Sequence, residues 1–329
     1  FAHQHSGSSQ VSGLRGWLPT IGTATDRGTG RVMPVREDAT MPEKTVGTTP
    51  PRVITIAGTD SGGGAGIPAD LRAFAACGVH ACLAVCAVTV QNSVGVTGVH
   101  TIPAETVAGQ IRVVAEDIGV QAAKTGMLAT TEIIETVART CDEVGIGRDR
   151  DAPLIVDPVA ASMHGDPLLA GSALDAYRTV LFPRATFVTP NLDEVRLLVE
   201  HDVHDRDGQY AAAKALHALG PRYVLVKGGH LAEDVDGCID LLYDGNEFLE
   251  LPGPRFATGN THGGGDSLAA AIASGLARGM DPVAAVRFGK RYIVEAVRHS
   301  YPLGAGHGPV SPLWAVRPWW EDDGDDQVS

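Results

Sequence analysis

From Arg52 onward the chain alternates short apolar runs with amphipathic stretches of helical length. The runs are RVITIAG (52–58), HACLAVCAVTVQ (80–91), VQAAKTGML (120–128), PLIVDPV (153–159), the start of ATFVTPNLDEVRLLV (185–199), RYVLVKGGH (222–230) and IDLLYDG (239–245). A helix is expected from about Ala69 to Cys77. Strands that alternate with helices need crossover connections, which predicts an α/β fold with a largely parallel sheet covered on both faces. Ligands of such sheets bind beyond the carboxyl ends of the strands. The unusual polar residues gather at those ends: Thr59 and Asp60, Gln91 and Asn92, Lys124 to Met127, Asp157, Asn191 and Glu194, and Lys227 to His230. No internal repeat is apparent.

The first fifty residues lack this pattern. They are rich in Gly, Ser, Thr and Pro without useful periodicity, and are expected to be a disordered extension covering 1–50. Met41, with Met33 before it, precedes the first strand and is the expected native start. The domain proper is placed at 51–315, and 316–329, with its EDDGDD run, reads as a solvated acidic tail. At 329 residues, 44% hydrophobic and 20% charged, one large domain is expected. A formal net charge of -13 argues against nucleic acid as a partner, since phosphate binding wants a basic stripe that no window here supplies. No segment approaches the roughly 20 apolar residues of a membrane span, and no signal-peptide block opens the chain. The five cysteines form no C-x-x-C pair, which fits a reducing cytoplasm.

Three motifs carry candidate chemistry. In AGTDSGGGAGIPADL (57–71), glycines follow a strand and precede a helix, so the backbone can approach a ligand closely and offers helix-start N–H groups. Neither a Walker loop nor a dinucleotide fingerprint is met. Asp70 is expected to face the cleft from the first turns of that helix, against the plainer reading of an exposed acid near a positive helix end. Asp157 and Glu194 stand where two apolar strands stop, and Pro158 keeps Asp157 extended. Such a pair suits Mg²⁺ held partly through water and phosphate, and Glu194 can equally serve as a first-turn capping acid. In TGNTHGGGDSLAAAIASGLA (258–277), Gly263 to Gly265 read as a flexible loop and Ser267 to Leu276 as a helix, with Asp266 at or next to the N-cap. Three glycines are more than a cap requires. They expose N–H groups for a phosphoryl group, and a carboxylate beside them is placed to take a proton from an attacking hydroxyl.

Taken in order, AGTDSGGGAGIPADL, AVTVQNSVGV, KTGML, VDPV with GDPLL, TPNLDE, LVKGGH and THGGGDSLAAAIA resemble the ribokinase-like superfamily, and within it the hydroxymethylpyrimidine-phosphate kinases of thiamine biosynthesis. The likeness runs from about Val53 to Leu313, and YPLGAGHGPVSPLW is similar to the end of actinobacterial members. The resemblance implies a ribokinase-like three-layer α/β/α fold and ATP- and Mg²⁺-dependent phosphorylation of 4-amino-5-hydroxymethyl-2-methylpyrimidine, then of its monophosphate. By position, Gly58, Ala65, Asp70, Thr89, Gln91, Met127 and Val159 would line the pyrimidine pocket. Asp157 and Glu194 would face Mg²⁺. Asn191, Lys227 and Lys290 would flank ATP, with Asp266 as base and Gly263, Gly264 and Gly265 as anion hole. It is compatible with a homodimer. Many members carry H-G-T-G-C where this chain has His262-Gly263-Gly264-Gly265-Asp266; aspartate is the residue of the superfamily's sugar kinases. A pyridoxine or pyridoxal kinase is the alternative. A sugar kinase and a silent pyrimidine sensor rank below it, since the early strands lack polar runs and Asp266 keeps its glycines.

Overall fold

The computed structural model describes residues 48–160, 171–229, 231 and 237–316. The expected extension up to position 47, Met33 and Met41, the GDPLL motif, His230 and the acidic tail beyond Val316 lie outside the described residues.

Nine strands are found among the described residues: β1 (Arg52–Gly58), β2 (His80–Gln91), β3 (Val96–Thr101), β4 (Ala122–Thr125), β5 (Leu154–Val156), β6 (Phe187–Val188), β7 (Tyr223–Val226), β8 (Gly237–Tyr243) and β9 (Phe248–Pro254). They form one sheet in the order β3-β2-β1-β4-β5-β6-β7-β8-β9. Pairing is parallel from β2 through β7 and antiparallel at both edges, where β3 returns on β2 and β8 and β9 form a hairpin beside β7. The helices are α1 (Gly66–Ala76), α2 (Ala104–Val113), α3 (Thr131–Glu143), α4 (Gly171–Ala176), α5 (Leu192–Val199), α6 (Arg206–His217), α7 (Gly264–Ala277) and α8 (Pro282–Arg298). None among the described residues is long and apolar enough to cross a membrane.

Alternation along each strand divides the side chains between two cores. Ile54, Ile56, Leu154, Val156, Val224 and Val226 pack with Val107, Ile111, Ile134, Val137, Leu198 and Leu216 from α2, α3, α5 and α6. Val53, Ala122, Ile155, Phe187 and Leu225 pack on the other face with Phe74 of α1, Leu268 and Ile272 of α7, and Val286 of α8. The expected three layers follow. Because both faces are covered, the central strands read as continuous apolar runs.

Two helix starts differ from expectation, and both matter for the site. Helix α1 begins at Gly66, not near Ala69, so Asp70 falls in its second turn, on the inward stripe with Ile67, Ala73 and Phe74. Helix α7 begins at Gly264, so the glycines are its N-cap and first turn and Asp266 is its third residue. Gly263 has φ 73°, and a Cβ there would stand 2.0 Å from the Gly64 carbonyl oxygen. Only glycine meets both conditions, and the two glycine segments therefore pack directly on each other.

Candidate active site

A cavity of about 640 Å³ opens where the parallel strands end, within the range of small-molecule sites. Of the residues expected to contact substrate, Gly58, Ala65, Thr89, Gln91, Met127 and Val159 all line it. The Gly58 N–H donates to the Met127 carbonyl at 3.0 Å, and a Cβ on Gly58 would fall 2.5 Å from Met127 Cε; the bare backbone makes room for the thioether. The Gln91 side chain is oriented by Thr89, whose hydroxyl lies 3.1 Å from Gln91 Oε1 and 2.9 Å from the Thr59 carbonyl oxygen. The Gln91 backbone N–H donates to Ser61 Oγ at 2.8 Å, and that hydroxyl donates to the Gln91 carbonyl at 2.7 Å. The end of β2 is thereby tied to the first glycine loop.

Asp70 does not line the cavity, which corrects the expectation for it. Its carboxyl is wholly buried behind the site. Thr55 Oγ1 donates to Asp70 Oδ2 at 2.6 Å and Lys124 Nζ donates to the same oxygen at 2.9 Å. Thr55 and Lys124 are register partners on β1 and β4, so both point to the face that α1 covers. Lys124 also donates to Asp266 Oδ1 at 2.8 Å, while the Gly66 N–H donates to Asp266 Oδ2 at 3.1 Å. One buried ammonium thus joins two carboxyl groups. Burial pushes Asp70 up to about 7, against the pull of Lys124 and with the charge of Asp266 adding to the rise. Burial would also raise Asp266, but the Lys124 charge and hydrogen bonds from Lys124 and Gly66 outweigh it and hold this carboxyl below its usual range. Lys124 stays protonated: its burial is overcome by the charges of Asp266, Asp70 and Asp157. A lysine inside the apolar strand QAAKT was the sequence signal for this cluster, since buried ammonium groups need partners.

Asp266, Asp157, Glu194, Asn191, Lys227, Lys290 and the three glycines all line the same cavity. Glu194 takes the capping role offered for it and also lines the cavity. It closes a capping box on α5, accepting from the Asn191 N–H at 2.7 Å while Asn191 Oδ1 accepts from the Glu194 N–H at 2.9 Å. It also lies 3.8 Å from Lys227 Nζ. Burial raises it to about 7, with Lys227 opposing and Asp157 adding to the shift. Asp157 Oδ1 accepts from Lys227 Nζ and from Thr189 Oγ1, each at 3.1 Å. A Cβ on Gly265 would stand 3.0 Å from Lys227 Nζ and 3.4 Å from Asp157 Oδ2, so the glycine keeps the gap between the α7 N-terminus and these charges open. Lys290 reaches the wall from α8 and donates to Asp240 Oδ2 at 2.7 Å. Its charge is matched inside the protein, which leaves Lys227 as the lysine placed between the acids and the helix start.

The Asp60–His262 pair was not assigned a role from sequence. Asp60 caps the first glycine loop, accepting from the N–H groups of Gly62, Gly64 and Ala65 at 2.8–3.0 Å, and its Oδ2 lies 2.9 Å from His262 Nε2. Burial would raise Asp60, but His262 and those backbone donors bring it below its usual value. The pair fastens the glycine loop before α1 to the one before α7. Its two members are 202 positions apart, so no local motif announces it.

The sequence model described as phosphomethylpyrimidine kinase matches residues 60–311. The chain is 61% identical over 270 residues to the hydroxymethylpyrimidine/phosphomethylpyrimidine kinase of Mycobacterium tuberculosis, covering 82% of this chain and 96% of that one. Its structure resembles the pyridoxal kinase of Bacillus subtilis, solved as an ADP complex, with a TM-score of 0.74, 34% identity and coverage of 81% and 99%. It also resembles the phosphomethylpyrimidine kinase of Clostridium difficile, with a TM-score of 0.65, 35% identity and coverage of 75% and 99%. The motif series and the ribokinase-like sheet are therefore those of a phosphotransferase, and the chain belongs to the phosphomethylpyrimidine kinase family.

Proposed function

We propose that the protein transfers the terminal phosphoryl group of ATP to the hydroxymethyl group of 4-amino-5-hydroxymethyl-2-methylpyrimidine, and then to the resulting monophosphate. The observation that carries this reading is the setting of Asp266. It is an ionised carboxylate in the first turn of a helix whose start is open for an anion, and it shares one cavity with Gln91 and Met127. In the first step Asp266 takes the hydroxyl proton as the new O–P bond forms and the bond to ADP breaks. The Gly264 N–H is taken by the Thr261 carbonyl at 3.1 Å, so the first-turn amides of α7 suited to the transferring group are those of Gly265 and Asp266. Lys227 adds positive charge beside them.

The residues fit Mg²⁺. A pair of hard carboxylates is the usual complement when phosphates and water complete the shell, and Asp157 and Glu194 stand together on the wall of this cavity. Asp157 and Glu194 would hold the ion, which would neutralise charge between the phosphates. The five unpaired cysteines support a reducing, cytoplasmic setting.

The likeness to pyridoxal kinases keeps one competitor. Purified protein with ATP and Mg²⁺ is to be assayed in parallel on the hydroxymethylpyrimidine, its monophosphate, pyridoxine and ribose. Turnover of both pyrimidines is expected. Turnover confined to pyridoxine would transfer the reading to vitamin B6, and turnover of ribose alone would reject it.

A further inference from the structure

Asp70 touches neither the cavity wall nor any group assigned a catalytic part, yet with Lys124, which donates to Asp266 Oδ1 at 2.8 Å, it places two further ionisable groups directly behind Asp266. Placing an acid and a base inside a core is costly unless they hold each other, and here two acids share one base. Asp70 Oδ2 already serves Thr55 and Lys124, while its Oδ1 is buried without a hydrogen-bond partner among the described residues. A structural ion pair would be complete with one carboxyl. The second gives Lys124 a choice of counter-ion.

We propose that Lys124 is a positioning residue for Asp266, and that Asp70 is its reserve counter-ion, keeping the ammonium compensated when Asp266 takes up the substrate proton. Lys124 and the Gly66 N–H grip opposite oxygens of Asp266 and fix the plane of its carboxylate. When the hydroxyl proton moves to Asp266 and the O–P bond forms, Asp266 becomes neutral. The charge of Lys124 is then met by Asp70 across 2.9 Å, and loss of the Asp266 charge, which raises Asp70, favours the ionised form of that carboxyl. Without Asp70, proton transfer would strand a buried cation. The inference rests on the reading of Asp266 as the base, and its test separates the two.

The test is a cycle of Asp70→Asn and Asp266→Asn, with kcat and KM measured on the hydroxymethyl substrate. Asp70→Asn should lower kcat by at least about threefold with both KM values little changed, and should have less than about a twofold effect when Asp266 is already Asn. An equal effect in both backgrounds would show a general structural role and overturn the proposal. So would wild-type turnover of Asp70→Asn. Wild-type turnover of Asp266→Asn would instead remove the base reading, and this inference with it. Should Asp70→Asn fold poorly, Asp70→Asn combined with Lys124→Met removes one charge of each sign. That double variant should melt near the wild type but lose about 10- to 100-fold in kcat, because the base is no longer aimed. Full turnover would refute a positioning role.

Discussion

Substituting Gly265 by alanine should separate stability from activity, moving them in opposite directions. Gly265 lies in the first turn of α7 without a positive φ, so alanine fits the backbone and reduces the freedom of the unfolded chain. That gain is worth roughly 0.5–1 kcal/mol in a helix. Against it, the new Cβ would sit 3.0 Å from Lys227 Nζ, tight enough that the ammonium must shift by a few tenths of an ångström, loosening its 3.1 Å contact with Asp157. The far end of a lysine gives way easily, so the expected net stability change is about zero to +1 kcal/mol. For a chain this size that is a rise of at most about 2–4 °C in melting temperature. Activity has no such relief, because the methyl group occupies the gap between the helix start and Asp157. A fall in kcat of about 10- to 100-fold corresponds to roughly 1.4–2.7 kcal/mol of lost transition-state stabilisation. Gly109→Ala in α2 is the control: its Cβ would meet nothing within 4 Å, so it should stabilise by a similar amount and leave kcat unchanged. Steady-state assays with calorimetry decide the matter. Wild-type kcat and Mg²⁺ dependence in Gly265→Ala would mean that the phosphoryl group does not pass through this gap.

Three further outcomes follow from the same geometry. Glu194→Gln can keep the capping box, so its melting temperature should hold while the Mg²⁺ concentration for half activity rises about tenfold; unchanged Mg²⁺ dependence with a lower melting temperature would leave Glu194 as a cap alone. Gln91 offers donors and an acceptor to an aminopyrimidine, whereas pyridoxine lacks the amine. Competition at equal concentration should favour the pyrimidine by at least about tenfold, less so in Gln91→Leu, and equal consumption would contradict this. Asp70 binds its proton more tightly folded than unfolded, rising from 3.8 to about 7, so its contribution to stability is complete below pH ~4 and is lost as pH rises towards ~7. Asp70→Asn lacks that loss, and its melting temperature should gain on the wild type between pH 5 and pH 8; a constant difference would show that Asp70 does not titrate there.

The α/β class was legible because a sheet covered on both faces writes continuous apolar strands, and the site could be placed because polar residues stop those strands at one rim. Strand direction has no such signature. IDLLYDG reads as a strand equally well parallel or antiparallel, and exposed β3 carries little apolar pattern at all. The start of α7 was hidden by the low helix propensity of glycine; what puts Gly264 and Gly265 into the helix is the contact of Gly263 with Gly64, which is tertiary. Asp70 was misplaced for a related reason. Its partner Lys124 reaches it only through the register of β1 on β4, and no local pattern encodes which strand pairs with which. The corresponding clue, a lysine within an apolar strand, was present but pointed to no particular acid.

The central claim, that Asp266 is the base, is tested most directly by comparing the two acceptors in Asp266→Asn. The first acceptor is an alcohol, which must lose a proton as it attacks. The second is a phosphate monoester, whose second ionisation lies near pH 6, so at pH 7.5 its attacking oxygen already carries charge and needs no base. Asparagine keeps the size of the side chain and removes the basic oxygen. Turnover of the hydroxymethylpyrimidine should fall by about 10²- to 10⁴-fold, while turnover of the monophosphate should fall by less than about tenfold, with the KM for ATP unchanged in both. Equal losses on the two acceptors, or turnover of the alcohol within threefold of wild type, would contradict the account.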